Sequence, residues 1–492
     1  MRDHVYDRVT MDYVKKTNDI LVRLFNVVLK LEEKALKESS AHNLSITEIH
    51  TLAAIGLGME RTMGEAADLL QISISTLTTA INKLVKKGYV ERFRISSDRR
   101  IVKIKLTKAG EDAVIEHEEF HRNMVENSLG ELSPPEIAAF VRSLDNINDF
   151  LDMQLTAPVN EPEDYPPGPI KLGTYAVPKG IFQGGMGIGI SMSSLASAVA
   201  TEGGLGVISG ASIGFGERDY EQDPLAADLR VLRREVKKAR KQVDGKAGAG
   251  PIGVNIPYNA ESYTQLVTAA VDAGAQVIIT GAGLPLRLPE ICRDKDVALV
   301  PVISSPRAAK IILKNWQKKH SRRPDAFIFE SVFAGGLLGY RESKMDVERG
   351  NYYKTISDIK NEIGDIPLIV GGGIYGREDG LRAILYGGDG IQLGSRFVTT
   401  FECDAPNAVK QAYLKCREND VTIIQTPGSM PYRAIRNDFT ESLVEGEPFD
   451  VNDALIRAAR GDGQNGLIFC GSKVYLQNTM EKVADIMEEL GS

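Results

Sequence analysis

The sequence predicts a multidomain chain: an α+β winged helix-turn-helix followed by an α/β (β/α)8 barrel, the TIM-barrel architecture. Three observations predict it. At 492 residues the chain is too long for one ordinary domain. Composition changes across the proline-rich stretch "TAPVNEPEDYPPGPIKLG", Thr156 to Gly173, from charged and glycine-poor to glycine-rich. Beyond it, eight short apolar runs alternate with helical patterns. The expected division is an N-terminal domain over 1–155, a stiff linker over 156–169 and a barrel over 170–492.

The totals set limits. With 43% hydrophobic and 25% charged residues the chain reads as globular. A net charge of −7 excludes a uniformly basic nucleic-acid binder and leaves room for a local basic patch. Four scattered cysteines (Cys292, Cys403, Cys416, Cys470) without C-x-x-C argue against a disulfide framework or a zinc site. The start "MRDHVYDRVTMDYVKK" is too charged for a signal peptide, and no run approaches the ~18 apolar residues of a membrane span. The expectation is a cytoplasmic protein with no membrane partner and no bound metal.

Ile20, Leu21, Leu24, Val27, Val28 and Leu31 recur at helical spacing, so a long amphipathic helix is expected over 13–36. Ser45 with Glu48 is a capping-box signature. A short helix, Met63 to Leu70, then meets a turn at Gln71–Ser73. A second helix runs from Ile74 to Lys87 and stops at Gly88. On it Ile74, Leu77, Ile81, Leu84 and Val85 form the apolar face. Ser75, Thr78, Thr79, Asn82 and Lys86 lie opposite. Two helices with a tight turn, the second exposing small hydrogen-bonders, describe a reader of the DNA major groove. "YVERFRI" and "IVKIKLT" follow as strands around a basic tip, "SSDRR": a wing. From Thr62 to Thr107 nine Lys or Arg (83, 86, 87, 92, 94, 99, 100, 103, 105) oppose four acids (65, 68, 91, 98). That is the electrostatic footprint of phosphate binding.

This segment resembles the MarR family of winged-helix regulators, most specifically in "LVKKGYVERFRISSDRRIVKIKLTKAG". The resemblance implies that helices over 13–36, 112–128 and 135–153 pair two chains into a homodimer. It also implies that Ser75, Thr78, Thr79 and Asn82 face bases of double-stranded DNA, with Arg94, Arg99 and Arg100 on phosphates or in the minor groove.

The eight apolar runs begin near residues 180, 204, 251, 275, 297, 326, 366 and 389. Alternation with helices implies parallel strands with right-handed crossovers, and eight units favour a closed barrel. The glycines at 184–189 and 203–206 superficially suggest a dinucleotide fingerprint, but their spacing is imperfect and no acidic ribose partner follows. In such barrels chemistry sits at the C-terminal strand ends, with phosphate after strands seven and eight. Those strands end in Gly371-Gly372-Gly373 and Gly394-Ser395, whose backbone N–H groups suit a phosphate. Strands one, three and four end in Gln183-Gly184-Gly185-Met186, Asn255 and Thr280-Gly281. Neutral amides, a thioether and bare backbone suit a flat heteroaromatic ring. Phosphate plus flat polar ring points to FMN.

"IFQGGMG", "GVNIP", "TGAGLP", "FES…AGG", "IVGGGIYGREDG", "GIQLGSRFVTTFECDA" and "FCGS", in that order, resemble the FMN-dependent nitronate monooxygenase (2-nitropropane dioxygenase) family, which includes FabK-type enoyl-ACP reductases. The resemblance implies that Gln183, Gly184, Met186, Asn255, Glu330, Gly372, Gly373, Gly394 and Ser395 hold or line the flavin. The family's sixth strand ends in a turn A-G-G-H-[LI]-G, with the histidine over the flavin. Here Leu337 stands in that place. The barrel's one histidine, His320, belongs to the opposite mouth. Glu330, Ser331, Tyr340 and Glu342 are left as candidates for proton transfer. Two readings follow: an oxidoreductase acting on alkyl nitronates, or a regulator whose barrel senses a flavin or small-molecule ligand. An NAD(P)H-dependent enoyl reductase is a further alternative.

Overall fold

A computed structural model describes residues 27–70, 72–95, 98–137, 167–425, 429–444 and 446–491, with a few positions between 16 and 24 and between 139 and 147. Its contacts divide the chain into two units, Met1–Asn148 and Asp149–Ser492. Most of the expected linker, and of the expected helix over 135–153, falls outside the described residues.

In the first unit residues 27–38 are helical. Helix α1 (Ile46–Ile55) carries the expected capping box: the Ser45 side chain accepts from Glu48 N–H, and the Glu48 carboxylate accepts from Ser45 N–H. Helices α2 (Met63–Leu69) and α3 (Ile74–Lys86) form the helix-turn-helix, and Ser73 caps α3. Gly88 takes φ +85°, the left-handed residue that stops the chain after α3. Strands β1 (Arg61–Thr62), β2 (Val90–Ile95) and β3 (Asp98–Leu106) pair antiparallel in the order β1-β3-β2, and helix α4 (Lys108–Leu129) follows. Ile49, Leu52, Ile55, Leu77, Ile81, Leu84, Ile104 and Val114 are fully buried and hold the unit together. The apolar face of α3 is narrower than expected. Ile74 and Val85 are 57% and 39% exposed, because they flank the Leu77–Ile81–Leu84 stripe and only that stripe meets the core.

The second unit is a barrel. Its strands are β6 (Ile181–Gln183), β7 (Gly206–Ser209), β8 (Ile252–Asn255), β9 (Val277–Thr280), β10 (Ala298–Ile303), β11 (Phe327–Glu330), β13 (Leu368–Gly371) and β14 (Gly390–Leu393). They pair in parallel in the order β6-β14-β13-β11-β10-β9-β8-β7, and a Phe182–Leu205 bridge closes the ring. All eight expected strands are present. Strand side chains alternate between two cores. Phe182, Val207, Val277, Ile279, Val300, Ile328 and Ile369 fill the barrel, together with Ile170, Leu172 and Val177 from the hairpin β4 (Ile170–Leu172) and β5 (Tyr175–Val177). Ile181, Ile208, Val254, Ile278, Leu299, Phe329, Val370 and Ile391 face the helices outside. A smaller sheet joins β12 (Gly336–Leu337), in the connection after β11, to β16 (Tyr432–Ile435) and β15 (Val421–Ile424).

Candidate functional site at the barrel mouth

Alternation decides which residues look into the mouth. Two residues beyond each interior apolar residue come Ser209, Gly281, Val302, Glu330 and Gly371; Asn255 and Gln392 occupy the same level on β8 and β14. Apart from Val302, this floor is made of glycines and polar side chains.

Gln183 and Thr280, both expected at the ligand, have the opposite parity and point outward. The Gln183 carboxamide is fully buried. Its nitrogen donates to Ser191 Oγ (2.9 Å) and Val207 O (2.8 Å), and its oxygen accepts from Val207 N–H (3.1 Å). Thr280, also fully buried, meets the Tyr263 hydroxyl at 3.2 Å. These side chains brace strands, and only their backbone borders the mouth. Asn255 does face it: its Nδ2 donates to Gly185 O at 3.1 Å. Gly185 is required there, since a Cβ would fall 2.3 Å from Asn255 Cβ. Gly184 N–H donates to Leu393 O (2.7 Å), and the Met186 sulfur would lie 3.5 Å from a Cβ at Gly394. The first and eighth strand ends are thereby laced together.

Glu330, Gly371 and Gln392 are register partners on three adjacent strands. Gly371 carries no side chain between these two longer ones, and the Gln392 amide lies against it: a Cβ there would sit 3.1 Å from Gln392 Nε2. Burial with no compensating partner lifts the Glu330 carboxyl from an ordinary 4.5 to about 7. The motif reading missed Gln392. Its position two residues before Gly394, on an inward register, was the available signal.

After β13 the chain turns through Gly372 (φ +88°) and Gly373 (φ +79°). A Cβ on Gly372 would lie 2.5 Å from Ser331 Oγ and 2.7 Å from Ala334 N. Among the described residues no protein acceptor takes the N–H groups of Gly372, Gly373 or Ile374. Ser395 begins a short helix, and its Oγ accepts from Gly471 N–H at 2.8 Å. The neighbouring Ser472 Oγ is buried without a partner, while its N–H donates to Phe333 O. A nearby orphaned hydroxyl and free backbone donors on two adjacent strand ends have the chemistry of an anion cradle. Ser472, too, escaped the motif reading.

The remaining candidates for proton transfer are committed or distant. Ser331 Oγ donates to Gly372 O (3.1 Å) and accepts from Phe333 N–H (3.2 Å), so it holds the turn. Tyr340 donates to Ser304 O and Glu330 O, and burial raises its pKa far above the usual range. Glu342 is exposed on a short 3-10 turn. His320 ends the helix Pro306–His320 and meets Leu286 O. Leu337 lies on β12 opposite Tyr432, which stacks on Phe469. Its neighbour Leu338 is fully buried, whereas Leu337 is part-exposed on the other face of the arm.

In the first unit Ser75, Thr79, Asn82 and Lys86 are exposed along α3 and Thr78 is part-exposed. The hydroxyls of Thr78 and Thr79 donate back to Ile74 O (2.7 Å) and Ser75 O (3.2 Å), leaving oxygen lone pairs outward. The side chains of Arg94, Arg99 and Arg100 lie outside the described residues.

A winged helix precedes a (β/α)8 barrel whose mouth carries glycine turns and unengaged backbone N–H groups at adjacent strand ends; that combination defines a two-module chain, a regulator-like fold followed by a barrel of the kind that carries its chemistry at the strand ends. Residues 170–492 match the nitronate monooxygenase family, and the chain belongs to it. Residues 44–102 match the MarR family. The chain is 31% identical over 190 residues to a probable nitronate monooxygenase of Staphylococcus haemolyticus, covering 35% of this chain and 52% of that protein. It is 25% identical over 266 residues to (3aS,4S,5R,7aS)-5-hydroxy-7a-methyl-1-oxo-octahydro-1H-indene-4-carboxyl-CoA dehydrogenase of Mycobacterium tuberculosis, covering 54% and 65%. Both alignments span less than two thirds of the relative. The structure of FabK from Thermotoga maritima superposes with a TM-score of 0.50 at 23% identity, over 63% of this chain and 90% of that one, a likeness of fold. Among the described residues no helix is long and apolar enough to cross a membrane.

Proposed function

We propose that the barrel binds FMN and oxidises small alkyl nitronates, and that the first unit binds double-stranded DNA as a homodimer. The observation that carries the barrel reading is the pair of glycine turns after β13 and β14: unengaged N–H groups at Gly372 and Gly373 beside Gly394, Ser395 and the orphaned Ser472 hydroxyl. Those groups would hold the phosphate. The floor at Gly184, Gly281 and Gly371 presents bare backbone edged by Asn255 and Gln392, against which the ring would lie. Bound there, FMN supplies the redox centre through which electrons pass from substrate to oxygen.

The chain's own groups then bind and orient. A carboxyl near 7 is largely protonated once a second anion approaches, so Glu330 donates a hydrogen bond to a nitronate oxygen. A nitronate is already an anion and needs no base to remove a proton. Nitronate oxidation therefore tolerates Leu337 where the family has histidine, whereas reduction of an enoyl thioester needs a positioned acid worth ~10²–10⁴-fold. Leu337, Tyr432 and Phe469 would wall the substrate side with apolar surface.

The test is aerobic turnover of an alkyl nitronate by FMN-loaded protein, followed as oxygen uptake, with NAD(P)H oxidation measured alongside. Repeated turnover supports the enzyme. A second reading, a sensor with little turnover, is favoured by Leu337 and by the fusion to a DNA-binding module. It predicts a yellow protein whose operator affinity shifts with ligand and whose nitronate turnover is negligible. A protein that refuses FMN in excess would sink both.

A further inference from the structure

Three of the chain's six histidines converge on one buried carboxylate in the first unit. Glu32 lies in the helix spanning 27–38, His50 on α1, and His117 and His121 one turn apart on α4. The Nε2 atoms of His50, His117 and His121 stand 2.8, 2.8 and 3.1 Å from the same Glu32 Oε1. The Nε2 atoms of His117 and His121 are 3.3 Å apart.

Hydrogen bonding accounts poorly for this packing. One carboxylate oxygen offers about two lone-pair directions, and three ring nitrogens claim it. His117 and His121 also aim the same nitrogen at each other, where two N–H donors would repel. A shared cation resolves both conflicts. Four donors bonded to one ion at 2.0–2.1 Å in a tetrahedron stand about 3.3 Å apart. The His117–His121 nitrogen separation already has that value, and the carboxylate contacts need to open by a few tenths of an ångström; Glu32, His50 and His117 offer ligand atoms all within 4.8 Å of one another, and the partly exposed rings of His50 and His121 would close on the ion from its open side.

We propose that Glu32, His50, His117 and His121 form a tetrahedral Zn2+ site. Three imidazoles with one carboxylate are borderline ligands that suit zinc, and all four cysteines lie in the other unit, so no thiolate draws a softer ion. Access is one-sided: the Glu32 and His117 side chains are 4% and 10% exposed, those of His50 and His121 45% and 37%. The sequence hid the site because its members are up to 89 positions apart. The expectation of no metal rested on spacing, and the fold brings together what spacing keeps apart. The ion would tie three helices at one point. Two residues before His50, Glu48 pairs with Lys87 at the end of α3 (2.7 Å), so fixing α1 steadies the support beneath the reading helix.

The experiment uses the full chain, stripped with chelator and titrated with Zn2+ against a chromogenic competitor. Expected is about one tight Zn2+ per chain, with affinity falling about a hundredfold or more in His50→Gln and in His121→Gln, both at exposed positions that leave the core intact. Co2+ should give the intense visible bands of a tetrahedral ion in the wild type and lose them in both variants. No tight zinc, binding at millimolar metal only, or variants that bind as the wild type does would each overturn the site.

Discussion

Glu330 is a carboxyl where its charge is disfavoured, and the consequence has a definite sign. Its folded pKa, about 7, lies above its unfolded value of 4.5, so between those limits the native state binds more protons. Stability therefore falls as pH rises from about 4.5 through 7 and levels off above. Glu330→Gln should remove that slope and stabilise the protein at pH 8 by about 1–3 kcal/mol. Urea unfolding of both proteins from pH 5 to pH 9 measures it; parallel curves would refute it. Gly372 makes the complementary prediction. It has φ +88°, and a methyl would collide with Ser331 Oγ and Ala334 N. Gly372→Ala should cost about 1–3 kcal/mol and weaken FMN binding at least tenfold. A fluorescence titration giving wild-type affinity would remove the cradle from the argument.

At the scale of elements, α3 separates two kinds of contact. Leu77, Ile81 and Leu84 anchor it, which leaves Asn82 and Lys86 exposed to solvent. Lys86→Ala should weaken DNA binding evenly across sequences and reduce the salt slope by about 1; Asn82→Ala should cost about 1–3 kcal/mol and relax preference at one base pair. Binding isotherms at several salt concentrations tell them apart, and two identical outcomes would remove α3 from its reading role. In the barrel the corresponding element is the β12–β16 arm. Buried Arg433 on β16 donates to Ala334 O and pairs across to Gly336, so the turn bearing Leu337 is held from behind. A histidine introduced there enters a fixed turn. Leu337→His should extend turnover to neutral nitroalkanes, with a gain of about 10²–10⁴-fold. No gain would mean that the arm holds residue 337 away from the substrate.

On the scale of the whole molecule, the first unit's buried cluster draws on residues 36–114 and the barrel's clusters on residues from 170 onward. Thermal unfolding should therefore resolve two transitions. FMN at 100 times its dissociation constant should stabilise the barrel by ~2.7 kcal/mol and leave the other transition in place. Calorimetry with and without FMN checks this, and a single transition shifted as a whole would show that the units unfold together.

The sequence by itself determined the order of elements. Ser45 with Glu48, Gly88 after a polar-faced helix, and eight apolar runs punctuated by glycine are local signals, and each holds in the structure. Gly185 and Gly372 were legible as close approaches: a Cβ at the first would collide with Asn255, and at the second with Ser331 and Ala334. Only the tertiary structure decided which side chains meet. Gln183 and Thr280 turn outward and Gln392 inward because a strand reverses face at every residue, and which parity faces the axis is fixed by ring closure. Ser331 proved to be the brace of Gly372, and Glu330 a carboxyl without a partner, because both depend on neighbours 40 or more residues away. For the same reason only the one-turn spacing of His117 and His121 shows in the chain: three packed helices bring Glu32 and His50 to that pair, and packing is not written in spacing.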